Sequence, residues 1–264
     1  MELEGARVLV TGASSGIGAA AAAAFAQAGA TVGICARRAD RLAEVLDRCR
    51  TMSPGSRMWA VDLADLDALP AFAASADDEL GGVDVLVNNA GIPMRRKMQE
   101  VTLDDLETVM RLDFLSPVAL TSALLPRMLA RGSGRIVNVS SMGARSFAMG
   151  VGAYAAAKAA LELYTEGLFA DLLGTGVTAQ LFVPGTTKTE FSTPRPGDRA
   201  PAYVDPNAME PGPVADALVA LVCSDAFEGY ASERLERTAV AKRSDPNRFL
   251  EKAASSVLGT LRSE

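Results

Sequence analysis

The sequence predicts an α/β fold, a doubly wound parallel sheet in a single domain. Three observations carry this prediction. Short apolar runs of β-forming residues alternate with longer helical stretches, the pattern of strands covered on both faces. A glycine-rich segment joins the first such run to the first helix. The chain of 264 residues shows no repeat, low-complexity tract or linker, so 1–264 reads as one unit with room for a sizeable core.

The elements follow in order. Residues 7–10 read as the first strand, and 17–28 as an alanine-rich helix closed by Gly29. Residues 31–35 form the second strand, with a helix over about 40–49 behind it. The third strand falls at 58–61, and the helix over 65–80 stops at Gly81-Gly82. Residues 83–88 read as the fourth strand. A long helix starts at Thr102, with Asp105 three residues on as a variant capping box. Pro117 should perturb this helix rather than end it, because the apolar period resumes through Leu124. Residues 135–139 are the fifth strand, followed by a helix carrying Tyr154 and Lys158, and 177–183 are the sixth. Prolines, glycines and charges then crowd residues 186–212, which read as a long loop and a lid over a substrate site. Residues 213–223 return to helix, and 232–264 form a charged, weakly helical tail.

Composition narrows the function. The chain is 49% hydrophobic and 22% charged, as soluble domains are. A net charge of −6 argues against a nucleic-acid binder. Cys35, Cys49 and Cys223 are scattered and form no C-x-x-C pair, so reduced thiols, a cytoplasmic location and no metal site are expected. The acidic start is unlike a signal peptide, and the alanine run at 19–24 is too short for a membrane span.

There is no histidine, so acid/base chemistry near neutral pH must fall to another group. Tyr154 and Lys158 stand one helical turn apart, with Ser141 thirteen residues upstream of the tyrosine. A phenol ionises near pH ~10 unless a neighbouring cation stabilises the phenolate, and Lys158 is placed to supply that charge. Tyr230 has Arg234 at the same spacing but Ala217 where the serine should be. Upstream, Thr11-Gly12-Ala13-Ser14-Ser15-Gly16-Ile17-Gly18 spans the turn from strand to helix. Its glycines allow backbone to approach a pyrophosphate at the helix N-terminus, although the spacing is G-x-x-x-G-x-G rather than G-x-G-x-x-G.

These segments, with Asn88-Asn89-Ala90-Gly91 and Pro184-Gly185, resemble the motifs of the short-chain dehydrogenase/reductase family, in its ordinary-length branch, over roughly residues 5–190. The resemblance implies a Rossmann-type fold binding a nicotinamide dinucleotide and an oxidoreductase acting on a carbonyl compound or secondary alcohol. It places Gly12, Ser14, Ser15, Gly16, Ile17 and Gly18 on the cofactor phosphates. Asp62 and Leu63 fall beside the adenine; Asn88 stiffens the sheet near Asn89, Ala90 and Gly91. Pro184, Gly185, Thr187 and Thr189 fall by the nicotinamide carboxamide. Ser141 polarises the carbonyl, Tyr154 exchanges the proton, and Lys158 holds the ribose and lowers the tyrosine pKa. From the residues themselves, Asp62 can equally serve as a turn or cap residue.

Cofactor choice turns on the end of the second strand. An NAD enzyme has an acidic residue there for the ribose 2′-hydroxyl, whereas this chain has Ala36 followed by Arg37 and Arg38. A guanidinium can clamp a 2′-phosphate, so NADP(H) is expected over NAD(H), with Arg37 the main contact and Arg38 a helper. One departure from the family pattern stands out: Asp113 occupies the place of an asparagine that supports the lysine, and a carboxylate cannot donate a hydrogen bond. Met94, Phe147 and Met149 are candidates for an apolar substrate wall. Arg95-Arg96-Lys97 reads as a solvated patch or an attractor of acidic substrates. By resemblance the partner is a small-molecule carbonyl or alcohol and the assembly a homodimer or homotetramer. The rival readings are a cofactor-binding sensor without turnover and a Ser141 hydrolase, the latter disfavoured by the missing histidine.

Overall fold

The computed structural model describes residues 1–146, 149–193, 197–199 and 205–261. The central sheet consists of β1 (Arg7–Thr11), β2 (Thr31–Ala36), β3 (Arg57–Ala60), β4 (Val85–Asn88), β5 (Gly134–Val139), β6 (Val177–Val183) and β7 (Glu228–Tyr230). All neighbours are parallel and the order is β3-β2-β1-β4-β5-β6-β7. Strand order reverses between β1 and β4, and in such sheets ligands bind in the crevice beyond the carboxyl ends at that switch point.

Side chains two apart on a strand share a face, and the core divides on that period. Val8, Val10, Val32, Ile34, Val85, Val87, Val137 and Val139 face one layer, formed by α1 (Gly16–Gln27), α2 (Ala39–Met52) and α8 (Pro211–Cys223). Leu9, Cys35, Leu86 and Ile136 face the other, which includes α3 (Leu69–Leu80) and α5 (Ser116–Arg131). The apolar strands are therefore buried on both faces, as parallel strands must be. Burial pushes the thiol of Cys35 up to about 12, so it stays protonated.

The long helix begins as α4 (Leu103–Met110) with the expected capping box: Asp105 N donates to Thr102 Oγ1 at 3.2 Å, and Thr102 N donates to Asp105 Oδ2 at 3.1 Å. A π-helical turn, Arg111–Leu115, separates it from α5. Pro117 lacks the N–H that would reach the Asp113 carbonyl, and its ring crowds that carbonyl, so a widened turn at this point has a local cause. The continuous run Leu103–Arg131 is long and apolar enough by composition to cross a membrane. Here its residues Leu120, Leu124 and Met128 are buried with Leu86 and Ile136 of the sheet.

Three expectations are corrected. The third helix starts at Leu69 rather than 65, because Asp62 to Ala68 form successive turns ahead of Pro70. The fourth strand starts at Val85, since Asp84 turns aside to hold Arg7 at 2.7 Å. β7 was not expected; it pairs Leu181 with Glu228 and Val183 with Tyr230. The tail after it forms α9 (Glu233–Ser244) and α10 (Pro246–Leu261).

Candidate active site

A cavity of about 2000 Å³ opens beyond the carboxyl ends of the strands. At its nucleotide end the glycines are there because nothing larger fits. Gly12 has φ of 67°, and a Cβ on it would lie 2.7 Å from Ala90 Cα; one on Gly18 would lie 2.5 Å from the Gly12 carbonyl oxygen. This close approach joins β1 to β4. Thr11 Oγ1 accepts from Asn89 N and Ala90 N, both at 3.0 Å, and Asn89 Nδ2 donates to Thr11 O at 2.8 Å. Ser15 is the extended N-cap of α1 and makes no side-chain cap, leaving the first-turn N–H groups without an acceptor from it. An open, glycine-lined helix N-terminus is a good fit for a pyrophosphate.

Beside it, Arg37 lines the cavity and Arg38 is tied down. Arg38 Nη2 donates to Ser14 Oγ at 3.0 Å and Ser15 Oγ at 2.9 Å, while Nη1 pairs with Glu190 Oε2 at 2.7 Å. Asp62 lines the cavity and also holds a turn, its Oδ1 accepting from Ala64 N at 3.0 Å. Asn88 donates to Asn138 Oδ1 at 2.8 Å inside the sheet.

At the other end, Ser141 is the N-cap of α6 (Met142–Arg145), its Oγ accepting from Gly143 N at 3.0 Å. Tyr154 and Lys158 lie on the first turns of α7 (Gly152–Asp171), and both are buried. Lys158 Nζ donates to Val139 O at 3.1 Å and pairs with Asp113 Oδ1 at 3.3 Å. Asp113 is fully buried, and its Oδ2 accepts from Ile92 N at 3.1 Å. Gly91 makes room for it: a Cβ there would sit 2.4 Å from Asp113 Oδ1.

Burial and Asp113 enter the electrostatics of Tyr154 alongside Lys158. Burial, and next the charge of Asp113, push the Tyr154 phenol well above its ordinary range, while a hydrogen bond to Ser141 pulls the other way. The Lys158 Nζ pairs with Asp113 and stands 5.9 Å from the Tyr154 ring centroid. Behind Ser141, Ser140 Oγ donates to Glu162 Oε1 at 2.5 Å, and Arg145 pairs with Glu162 and with Glu228, each at 2.6 Å. This buried set ties α6 to α7 and β7.

All the proposed cofactor contacts, Gly12, Ser14 to Gly18, Arg37, Arg38, Asp62, Leu63, Asn89 to Gly91, Pro184, Gly185, Thr187 and Thr189, line this one cavity with Ser141, Tyr154 and Lys158. Met149 lines it too. Met94 does not: it packs with Ile92, Val109, Ala153 and Ala157 in a small core behind Tyr154, which corrects its expected place on the substrate wall. Phe147 lies outside the described residues. Tyr230 is also absent from the lining, and burial, with Glu228 next, raises its phenol.

The basic patch is partly structural, because Arg96 pairs with Asp105 and the Arg95 guanidinium donates to Phe191 O at 3.1 Å. Glu190 and Phe191, whose ring centroid lies 5.6 Å from that of Tyr154, line the cavity from the segment expected as a lid, though neither was singled out, and sequence reasoning missed Phe249 of α10, which lines it too. No motif marks them; only the return of the later chain over the strand ends brings them in.

The short chain dehydrogenase family profile matches residues 6–200. A short chain dehydrogenase of Pseudocercospora fijiensis is 38% identical over 195 residues, 73% of this chain and 63% of that protein. A ketoacyl reductase of a Nostoc strain is 34% identical over 200 residues, 73% of this chain and 70% of it. The chain thus spans less than two thirds of the first of these relatives. Among solved structures, a short-chain dehydrogenase from Sphingobium yanoikuyae in complex with NADPH has a TM-score of 0.78 at 28% identity, covering 96% of this chain and 95% of that one. The chain belongs to the short chain dehydrogenase family.

Proposed function

We propose that the protein is an oxidoreductase that transfers a hydride between NADP(H) and a carbonyl compound or secondary alcohol, acting as a reductase at neutral pH. One observation carries the reading: Ser141, Tyr154 and Lys158 stand at one end of a single cavity whose other end is a glycine cradle flanked by Arg37 and Arg38. The bound nicotinamide supplies the hydride. Tyr154, held protonated by its surroundings, gives its phenolic proton to the carbonyl oxygen as negative charge grows there. The Ser141 hydroxyl donates a hydrogen bond to the same oxygen. An ammonium has three donors; Lys158 gives one to Val139 O and faces Asp113 as its charge partner, which leaves donor capacity for a ribose hydroxyl.

Phe191, Met149 and Phe249 on the cavity wall favour an apolar carbonyl substrate. The ketoacyl reductase relative and the NADPH-bound neighbour support this reading. We propose a cytoplasmic homodimer or homotetramer in which residues 186–212 act as a lid, 194–196 and 200–204 of that segment lying outside the described residues.

The test has two stages. Thermal denaturation with NADPH or NADH at equal concentration should give the larger rise in Tm with NADPH. A panel of hydrophobic ketones, followed at the nicotinamide absorbance, should then yield turnover. Cofactor binding with no turnover across the panel would replace the enzyme reading with that of a sensor.

A further inference from the structure

One ion pair crosses the mouth of the cavity. Glu190 follows β6, on the wall opposite the end of β2, yet its carboxylate pairs with Arg38 at 2.7 Å and with Arg41 at 3.7 Å. The remaining donors of Arg38 reach Ser14 and Ser15. The guanidinium best placed beside Arg37 to meet a 2′-phosphate is therefore already charge-compensated. A phosphate monoester arrives with about −1.5 to −2 charges and must share or displace that carboxylate. A 2′-hydroxyl brings no charge, and a carboxylate can accept a hydrogen bond from it. The pair is exposed, with side chains 45% and 48% accessible, so it contributes little to stability and its removal leaves the fold intact.

We infer that Glu190 is a cofactor-selectivity residue: by occupying Arg38 from the opposite wall, its carboxylate penalises a 2′-phosphate and holds the preference for NADP(H) below what Arg37 and Arg38 alone would give. The inference rests on the reading that this cavity takes a nicotinamide dinucleotide. In this role Glu190 does from the β6 side what an acidic residue at the end of β2 does in NAD-using enzymes. The sequence hides it, because the two partners are 152 residues apart.

The test is equilibrium binding of NADPH and NADH, read from nicotinamide fluorescence, for the wild-type protein, Glu190→Gln and Arg37→Asp. Glu190→Gln should tighten NADPH about threefold or more, leave NADH unchanged or slightly weaker, and lose most of that difference at high salt. An unchanged NADPH/NADH ratio would overturn the inference. Equal weakening of both cofactors would also overturn it, and would make Glu190 part of a strap closing over either one. Arg37→Asp separates the two levels: a selective loss of NADPH keeps the cavity reading standing when Glu190→Gln does nothing. Wild-type protein that binds neither cofactor removes both.

Discussion

The Asp113–Lys158 pair sets the character of the reacting end. A buried carboxylate next to a buried ammonium is retained because each compensates the other where water cannot. Its consequence for Tyr154 has a definite sign. Burial, and next the nearby negative charge, disfavour the phenolate, so the phenol stays protonated at neutral pH. Carbonyl reduction, which needs the acid form, should be flat through neutral pH; alcohol oxidation, which needs the phenolate, should climb through the alkaline range. Asp113→Asn removes the charge that raises the phenol and frees the charge of Lys158, so the oxidation limb should move to lower pH, with an increase of about threefold or more at pH 8. An unmoved limb would show that Asp113 does not govern the proton. At the nucleotide end, Arg37→Asp should raise the KM for NADPH roughly tenfold or more with little change for NADH; equal changes would remove Arg37 from the site. Asp113, Arg37, Ser141 and Tyr154 were all legible as residues. The position of Asp113 by the lysine was legible too, through the resemblance; the 3.3 Å contact itself was not, since it depends on how far the widened turn carries the carboxylate.

Elements convert these positions into rigid geometry. The capping box at Thr102 and the perturbation at Pro117 were readable because both act over three or four residues. β7 was not: its three residues have a glycine in the middle and intermediate burial, so neither alternation nor an apolar run marks it. Yet β7 supplies Glu228, which shares Arg145 with Glu162. Glu162→Ala should cost about 3 kcal/mol in chemical denaturation, because Arg145 and Ser140 lose a partner while buried. A loss below ~1 kcal/mol would mean the network is incidental. Gly12→Ala tests the β1–β4 approach. A positive φ and a backbone contact of 2.7 Å leave no room for the methyl, so stability should fall by about 1–3 kcal/mol and cofactor binding should weaken with it.

For the whole molecule, alternation of strand and helix was enough to foresee a parallel sheet, and the motif at the first turn indicated where its crevice lies. What the sequence left open is the mouth of that crevice. Glu190 and Phe191 reach it from the stretch read as a lid and Phe249 from the tail read as weakly helical, and no local motif says which of their residues meet the cavity. The nucleotide and reacting ends meet only because the sheet brings the ends of β1, β4, β5 and β6 together in one cavity. Tyr154→Phe tests that convergence best, by pairing NADPH binding with ketone reduction in one variant. The phenyl ring preserves the packing and removes only the hydroxyl that carries the exchangeable proton. NADPH affinity should stay within about threefold of wild type while ketone turnover falls by about a hundredfold or more. A variant that still reduces the ketone at close to the wild-type rate would contradict the assignment of Tyr154 as the proton donor.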